Sequence, residues 1–205
     1  MFGIRDGAFK NCTGITNIYM LDGILTIGSS AFEGCTSLKS IALPDTLIKL
    51  GDRALYGCEK LEEVNIPKPL KSIGVGAFSG CSSLESLTLN DSLEIIGGVA
   101  FSGCSSLSEL ALGKSVKEIG AGAFSGCSSL TEITIHESVT DIGLIAFDTP
   151  GLKILTPFAE KDKPIGWTSG WCTPEVTVEW EGVPFEEDED SDNVADDDGG
   201  ETEKG

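Results

Sequence analysis

Apolar residues through residue 157 fall into short clusters separated by polar turns, and the pattern recurs every 23 residues. In one unit, Leu38-x-x-Ile41-x-Leu43 ends in period-two alternation, which predicts a short β-strand with two inward residues. A turn follows at Pro44-Asp45, and Leu47-x-x-Leu50-Gly51 supplies a second inward pair, consistent with a second, very short strand. Ala54-Leu55-x-Gly57-Cys58 then predicts a compact helical or 3₁₀ turn, because its spacing keeps one face apolar.

Individual residue types also recur at the same 23-residue interval. Phenylalanine repeats from Phe9 to Phe147, with Leu55 in its place in one unit, and alanine and glycine repeat in parallel series. No single unit can bury its apolar face alone, whereas stacked units can, so the pattern predicts a solenoid. The cysteines of the repeat are Cys12, Cys35, Cys58, Cys81, Cys104 and Cys127.

The unit I-G-x-x-A-F-x-G-C-x-S-L, seen in full at residues 96–107, resembles the BspA-type leucine-rich repeat of bacterial surface proteins and some protist proteins. The resemblance covers about residues 4–157. It implies an α/β repeat fold, a leucine-rich-repeat solenoid that is curved, with a parallel β ladder and 23-residue coils closed by short helical or 3₁₀ turns. It also implies a non-enzymatic module for protein interaction or adhesion.

Three regions are predicted along the chain. Residues 1–157 form about seven coils, the first incomplete, and residues 158–183 form a closing segment in which three tryptophans cover the last coil and Val176-x-Val178-x-Trp180 adds a strand. Residues 184–205 are predicted to be a disordered acidic tail. The first unit starts part-way through the pattern, which favours a fragment of a longer cell-surface or secreted protein. A complete chain would instead be cytoplasmic, because no signal peptide is visible.

Charge narrows the classes of partner. The chain carries 33 acidic and 14 basic residues, a net charge of −19, and twelve of the acidic residues lie within 181–205. Nucleic acid and anionic membranes repel a polyanion, so neither is expected to bind. No apolar run approaches the ~18 residues of a membrane span. The expected partner is therefore a protein or a glycan, and the expected state is a monomer.

The repeated cysteine allows three interpretations: a metal site, disulfides between neighbouring coils, or reduced and buried thiols. The 23-residue spacing lacks the C-x₂-C clustering of metal sites and His136 is the one histidine, so neither a metal nor another cofactor is expected. Disulfides between neighbouring coils would disturb a regular stack. We therefore favour six protected thiols, each a small apolar residue that donates a weak hydrogen bond to a turn. Cys172 lies outside the series and stays unassigned.

Catalytic motifs are missing from the sequence. His136 occupies a turn position that Pro44, Asn90 or Gly113 fills in other units, which is typical of a turn rather than of a catalytic residue. No Gly-x-Ser-x-Gly elbow, phosphate loop or zinc-protease motif is present. The chain is therefore predicted not to be an enzyme.

Alternation along the strands turns a second set of residues outward, onto the expected concave face. This face is expected to lack tryptophan, tyrosine and arginine, and its three glutamates favour a basic or carbohydrate-rich partner. Other functions stay open: an intracellular interaction scaffold, or a structural spacer whose concave face is simply solvated. The residues predicted to bind are Glu63, Asn65, Ser86, Thr88, Glu109, Glu132 and Thr134.

Overall fold

The computed structural model describes residues 2–158 and 160–180. Over this part the chain winds into a parallel β-solenoid of about eight turns with about 23 residues per coil, which confirms the predicted repeat architecture. A typical coil contributes two short parallel strands, and turns close its third side. The one regular helix of the described residues is a 3₁₀ helix, Glu160–Asp162, outside the repeated coils.

The second, very short strand of each unit forms the more continuous of the two ladders. Eight such strands pair in sequence order, and the central ones keep one register: Ile73 pairs with Ile96, and Ile119 pairs with Ile96 and Ile142. The register shifts only in the first pair, between Phe2 and Gly3, and in the last pair, where Ile142 lies opposite Trp167. The strands are Phe2–Ile4, Ile24–Ile27, Lys49–Leu50, Ser72–Ile73, Ile95–Ile96, Glu118–Ile119, Asp141–Ile142 and Gly166–Trp167.

The first strand of each unit forms a ladder that is divided into three sheets. The pairing of Ser40–Ala42 with Glu63–Val64 stops at Asn65, whose side-chain amide takes the place of backbone pairing. Leu43 N–H donates to Asn65 Oδ1, and Asn65 Nδ2 donates to the Leu43 carbonyl, both at 3.0 Å. The outward residues of these strands are called the strand face below. The strands are Asn17–Tyr19, Ser40–Ala42 and Glu63–Val64; Ser86–Thr88 and Glu109–Ala111; and Glu132–Thr134, Lys153–Thr156 and Thr177–Trp180.

The third side of each coil is built from turns rather than from the expected helical or 3₁₀ segment. Its amides alternate in direction: Ala8 N–H donates within the coil to Arg5, whereas Phe9 N–H donates to Ala31 of the next coil at 2.8 Å. Since every second amide bonds to the neighbouring coil, no continuous helical series of hydrogen bonds can form. The turns therefore join the coils as the strands do.

Phenylalanine rings stack along the core. Phe78, Phe101, Phe124 and Phe147 lie face to face, with ring centroids 5.3–5.5 Å apart and planes within 10° of parallel. Leu55 occupies the equivalent site in its own coil and separates this run from the Phe9–Phe32 pair, whose centroids are 5.2 Å apart. The spacing follows from the coil rise of about 4.8 Å set by parallel strands.

The closing segment continues the stack as a further coil. Trp171 packs edge-on against Phe147 at 5.9 Å, and Trp167 contacts Phe158 and Trp171 while its Nε1–H donates to the Val139 carbonyl at 3.1 Å. The predicted last strand is Thr177–Trp180, which pairs in parallel with Lys153–Thr156. The predicted disordered tail, 184–205, lies outside the described residues.

Two positions of positive φ recur along the coils, and the first of them lies two residues after the repeated glycine, whose place Arg5 takes in the first coil. A left-handed backbone suits glycine but is unfavourable for a β-branched side chain. Val99 nevertheless adopts it, with 42% of its surface exposed. This first position is occupied by Gly7 (62°), Ser30 (55°), Arg53 (55°), Gly76 (61°), Val99 (49°), Gly122 (63°) and Ile145 (47°).

Candidate functional site

The strand face presents two parallel rows of side chains, one on each side of the inward residue of every strand. All seven residues predicted to bind are exposed and lie on this face, so the structure brings them together. The first row is Asn17, Ser40, Glu63, Ser86, Glu109, Glu132, Lys153 and Thr177, and the second is Tyr19, Ala42, Asn65, Thr88, Ala111, Thr134, Leu155 and Glu179.

Two open depressions follow one another along the strand face. The first has a volume of about 630 Å³ and extends from Tyr19 past Glu63 to Ser86 and Thr88. The second, of about 400 Å³, starts from the same Ser86 and Thr88 and reaches Glu132. Because they share these residues, they form one shallow trough across six coils, here called the strand-face trough.

Tyr19 is the residue of this face that the sequence reasoning missed. It pairs in register with Ala42 and is 82% exposed, so the expectation of a face without tyrosine is wrong. The signal was present, since Ile15-x-x-Ile18-x-Met20 has the same apolar spacing as Leu38-x-x-Ile41-x-Leu43. Applying the same alternation to the first coil turns Asn17 and Tyr19 outward.

Asn65 lies on the face, but its amide is already occupied by the backbone of Leu43. Both polar atoms of its amide bond to the Leu43 N–H and carbonyl, which would otherwise bond to the backbone of a neighbouring strand. Asn65 therefore supports the wall of the first depression rather than offering free hydrogen-bonding groups.

Charge is distributed unevenly along the trough. Within the described part of the chain, Glu63 and Glu109 form no ion pair. Glu132 differs, because Lys153 Nζ lies 3.8 Å from its carboxylate and 2.9 Å from that of Glu179. The uncompensated carboxylates of the trough are thus those nearer Tyr19.

The repeated cysteines form a row of free thiols beside the phenylalanine stack. From Cys35 to Cys127, each Sγ donates to a backbone carbonyl oxygen of the previous coil at 3.2–3.4 Å. The acceptor is the Phe or Leu that lies three residues before the cysteine of that coil. Burial raises the pKa of the Cys58 and Cys127 thiols to about 12. Cys12 is only half-buried, contrary to the expectation of six equally protected thiols, because the first described coil has a neighbour on one side only.

Thr149 completes this row in the coil that lacks a cysteine. Its side chain is fully buried, and Oγ1 donates to the Phe124 carbonyl at 3.1 Å, the bond that a thiol makes elsewhere. The last repeated coil is one residue shorter before this position, which hid the correspondence in the sequence. A hydroxyl can therefore replace the thiol donor.

The repeated coils match the model of a known protein family. The family described as BspA type leucine rich repeat region matches residues 3–104 and 54–161, in six copies. The chain belongs to the BspA-type leucine-rich repeat family. The BspA-type pattern thus accounts for the strands that carry the strand-face trough and for the cysteine row.

Solved structures of bacterial leucine-rich repeat proteins share this BspA-type solenoid. A Bacteroides ovatus protein is 32% identical, with a TM-score of 0.70 over 77% of this chain and 41% of its own. A T. pallidum protein is 31% identical, with a TM-score of 0.67 over 74% and 70%. One from Eubacterium ventriosum is 26% identical, with a TM-score of 0.56 over 67% and 44%. The chain thus spans less than half of the length of the B. ovatus and E. ventriosum proteins. A separate comparison with curated proteins found no significant match.

His136 keeps its turn position in the BspA-type coil, where its Nε2 lies 3.2 Å from the Leu112 carbonyl oxygen. Across residues 2–158 and 160–180, no group of three or more His, Cys, Asp or Glu side chains is placed to hold a metal ion. No helix in the same residues is long and apolar enough to cross a membrane.

Proposed function

We propose that this BspA-type domain is a non-enzymatic binding module that recognises a protein partner through the strand-face trough, as an adhesion or interaction domain of a surface or secreted protein. The observation that carries the proposal is the continuity of the trough, which gives one partner access to side chains from six successive coils. Neighbouring coils lie about 4.8 Å apart, so outward residues form regular rows. Such rows suit a polypeptide surface better than a single small molecule.

The charge of the trough favours a basic partner. Glu63 and Glu109 keep uncompensated carboxylates among the described residues, and the whole chain has a net charge of −19. Each exposed ion pair contributes only about 0–1 kcal/mol and is screened by salt. Binding should therefore need several contacts at once and should weaken as ionic strength rises.

The test begins with a screen of the full chain against extracellular-matrix proteins and a glycan array. The captured partner is then measured against the triple variant Glu63→Lys, Glu109→Lys and Glu132→Lys. Because all three residues lie in the trough, this variant should lose most of the affinity. A glycan as the ligand would show the proposed partner class to be wrong.

A matched control separates the trough from the overall charge. Glu59, Glu118 and Glu175 are exposed residues outside the trough, and changing all three to lysine alters the net charge by the same amount. This control should retain binding. Equal losses in both triple variants would show that net charge, not the strand face, holds the partner, and a folded chain without any partner in the screen would favour a structural spacer.

A further inference from the structure

The ring of Tyr19 is an open site for a cation. The chain contains two tyrosines, and the Arg53 guanidinium lies 4.1 Å above the centroid of the other one, Tyr56. Tyr19 is 82% exposed, and no cation lies over its ring among the described residues. An aromatic face attracts an ammonium or guanidinium group that approaches within about 6 Å of its centroid.

A carboxylate lies at a suitable distance from this ring. Tyr19 is in the first coil and Glu63 is in the third, so they are about 10 Å apart along the stack. They also lie in different rows, about 7 Å apart across the strands, which makes their Cα separation about 12 Å. The coil between them presents only Ser40 and Ala42, and both line the same depression. Because the Tyr19 and Glu63 side chains are long enough to lean over Ser40 and Ala42, one cation about 6 Å from the ring centroid can also lie about 3–4 Å from the carboxylate.

The two side-chain amides around this depression are already hydrogen-bonded within the protein. Asn17 Nδ2 donates to Ser40 Oγ at 2.6 Å, and Asn65 is bonded to Leu43 through both atoms of its amide. A glycan needs free donors and acceptors, which these amides do not supply. A cation instead needs an aromatic face and a negative charge, and the Tyr19 ring and the Glu63 carboxylate supply both, each without a cation partner within the described residues.

We propose that Tyr19 and Glu63 form a subsite that holds one arginine or lysine side chain of the protein partner. This inference rests on the proposed function and names the chemistry at one end of the strand-face trough. The cation lies over the face of the Tyr19 ring and the Glu63 carboxylate pairs with its charge, so both groups recognise the same side chain.

The test uses the full chain labelled with ¹³C in its tyrosine rings and a peptide probe, acetyl-Gly-Arg-Gly-Arg-Gly-Arg-Gly-amide. The chain has two tyrosines, so two sets of ring signals are expected, and Tyr56→Phe assigns them. Titration should shift the Tyr19 signals and leave those of Tyr56, already paired with Arg53, nearly unchanged. The citrulline analogue, which has the same shape and no charge, should give no shift, and equal shifts with both peptides would overturn the proposal.

Variants then assign the two roles, with the amide signals of Ser40 and Ala42 as the readout. Glu63→Gln and Tyr19→Leu should each lower the affinity for the arginine peptide by about three- to fivefold. Tyr19→Phe should keep most of this affinity because it keeps the ring. Glu118→Gln, on the other sheet, is the matched control and should have no effect. Unchanged affinity in Glu63→Gln or Tyr19→Leu would rule out the subsite.

The two proposals can fail separately. If the triple lysine variant loses the partner while Tyr19→Leu and Glu63→Gln keep it, the trough binds the partner but this subsite does not. If the arginine peptide shifts Tyr19 and the triple lysine variant still binds the partner normally, the proposed function is wrong, and Tyr19 and Glu63 bind a cation without a role in holding that partner.

Discussion

Glycine in place of Val99 should cost much less stability than glycine in place of Val75, although both are exposed valines in neighbouring coils. Val99 has a φ of 49°, in the left-handed region, whereas Val75 does not have a positive φ. The equivalent position of the adjacent coils is already glycine, at Gly76 and Gly122. The pair therefore isolates the backbone strain of a β-branched residue from its side-chain contacts.

The expected magnitudes follow from exposure. Val99 is 42% exposed and Val75 is 50% exposed, so each substitution removes about half of the ~1.5–3 kcal/mol that full burial of a valine contributes. Glycine adds a further ~0.5–1 kcal/mol through the entropy of the unfolded chain. Val75→Gly should therefore cost about 1.5–2 kcal/mol. Val99→Gly also relieves about 1–2 kcal/mol of left-handed strain, which leaves a net cost of about 0–1 kcal/mol.

Urea unfolding followed by tryptophan fluorescence measures both free energies of unfolding, provided that the m-values agree. Val99→Ala serves as an internal control, because alanine keeps the Cβ atom that makes a left-handed backbone unfavourable. It should be less stable than Val99→Gly. If Val99→Gly loses as much stability as Val75→Gly, the positive φ carries no strain and the reasoning is refuted.

Four further predictions concern the thiols and the closing segment. Cys81→Ser should lower the free energy of unfolding by about 1–3 kcal/mol, because this coil lacks the one-residue shortening at Thr149 and the shorter C–O bond leaves the buried hydroxyl imperfectly bonded to Leu55; urea unfolding that shows no loss would contradict this. Thiol titration of the reduced, folded chain should find two reactive groups, the half-buried Cys12 and Cys172, and all seven after unfolding; three or more in the folded chain would argue against a closed core. Because burial raises the pKa of the Cys81 thiol well above 9.0, the ordinary value of a thiol, stability that is complete below pH 9 should be lost as the pH rises, and Cys81→Ala should reduce that slope by about 1.4 kcal/mol per pH unit in urea melts. Deleting residues 158–205 should cause self-association in sedimentation, whereas deleting 184–205 should leave a monomer; identical behaviour would mean that the tryptophans are not a cap.

The inward residues of the solenoid could be predicted from the sequence because burial recurs at one fixed step. Leu38, Ile41 and Leu43 are all buried, and the phenylalanines stack as a 23-residue repeat requires. The third side was harder to predict. The same apolar spacing satisfies a helical turn or a row of turns, and the choice depends on amides that bond to the next coil, which residue type does not reveal.

The strand face was predicted less completely than the core. Outward positions have no common residue type, so only the inward spacing of the first coil indicates that Tyr19 belongs to the face, and nothing in the sequence shows that Lys153 pairs with Glu132 and Glu179. The use of the Asn65 amide by Leu43 could not be predicted either, because an outward asparagine can reach solvent or a neighbouring strand equally well. The residues in the trough could be predicted, but the free groups among them could not.

The nearly constant spacing of the phenylalanine rings has a consequence for how such a chain can change its size. Removing a whole unit, such as residues 97–119, would join Ile96 to Gly120 and place Phe78 against Phe124, a contact like those already present. A duplication would act in the opposite direction, so a gain or loss of one unit would shift the length of the molecule by about 4.8 Å without a new core. The same deletion would bring Glu63 and Glu132 from three coils apart to two, so the copy number of the unit also sets the distance between charges that a partner must match.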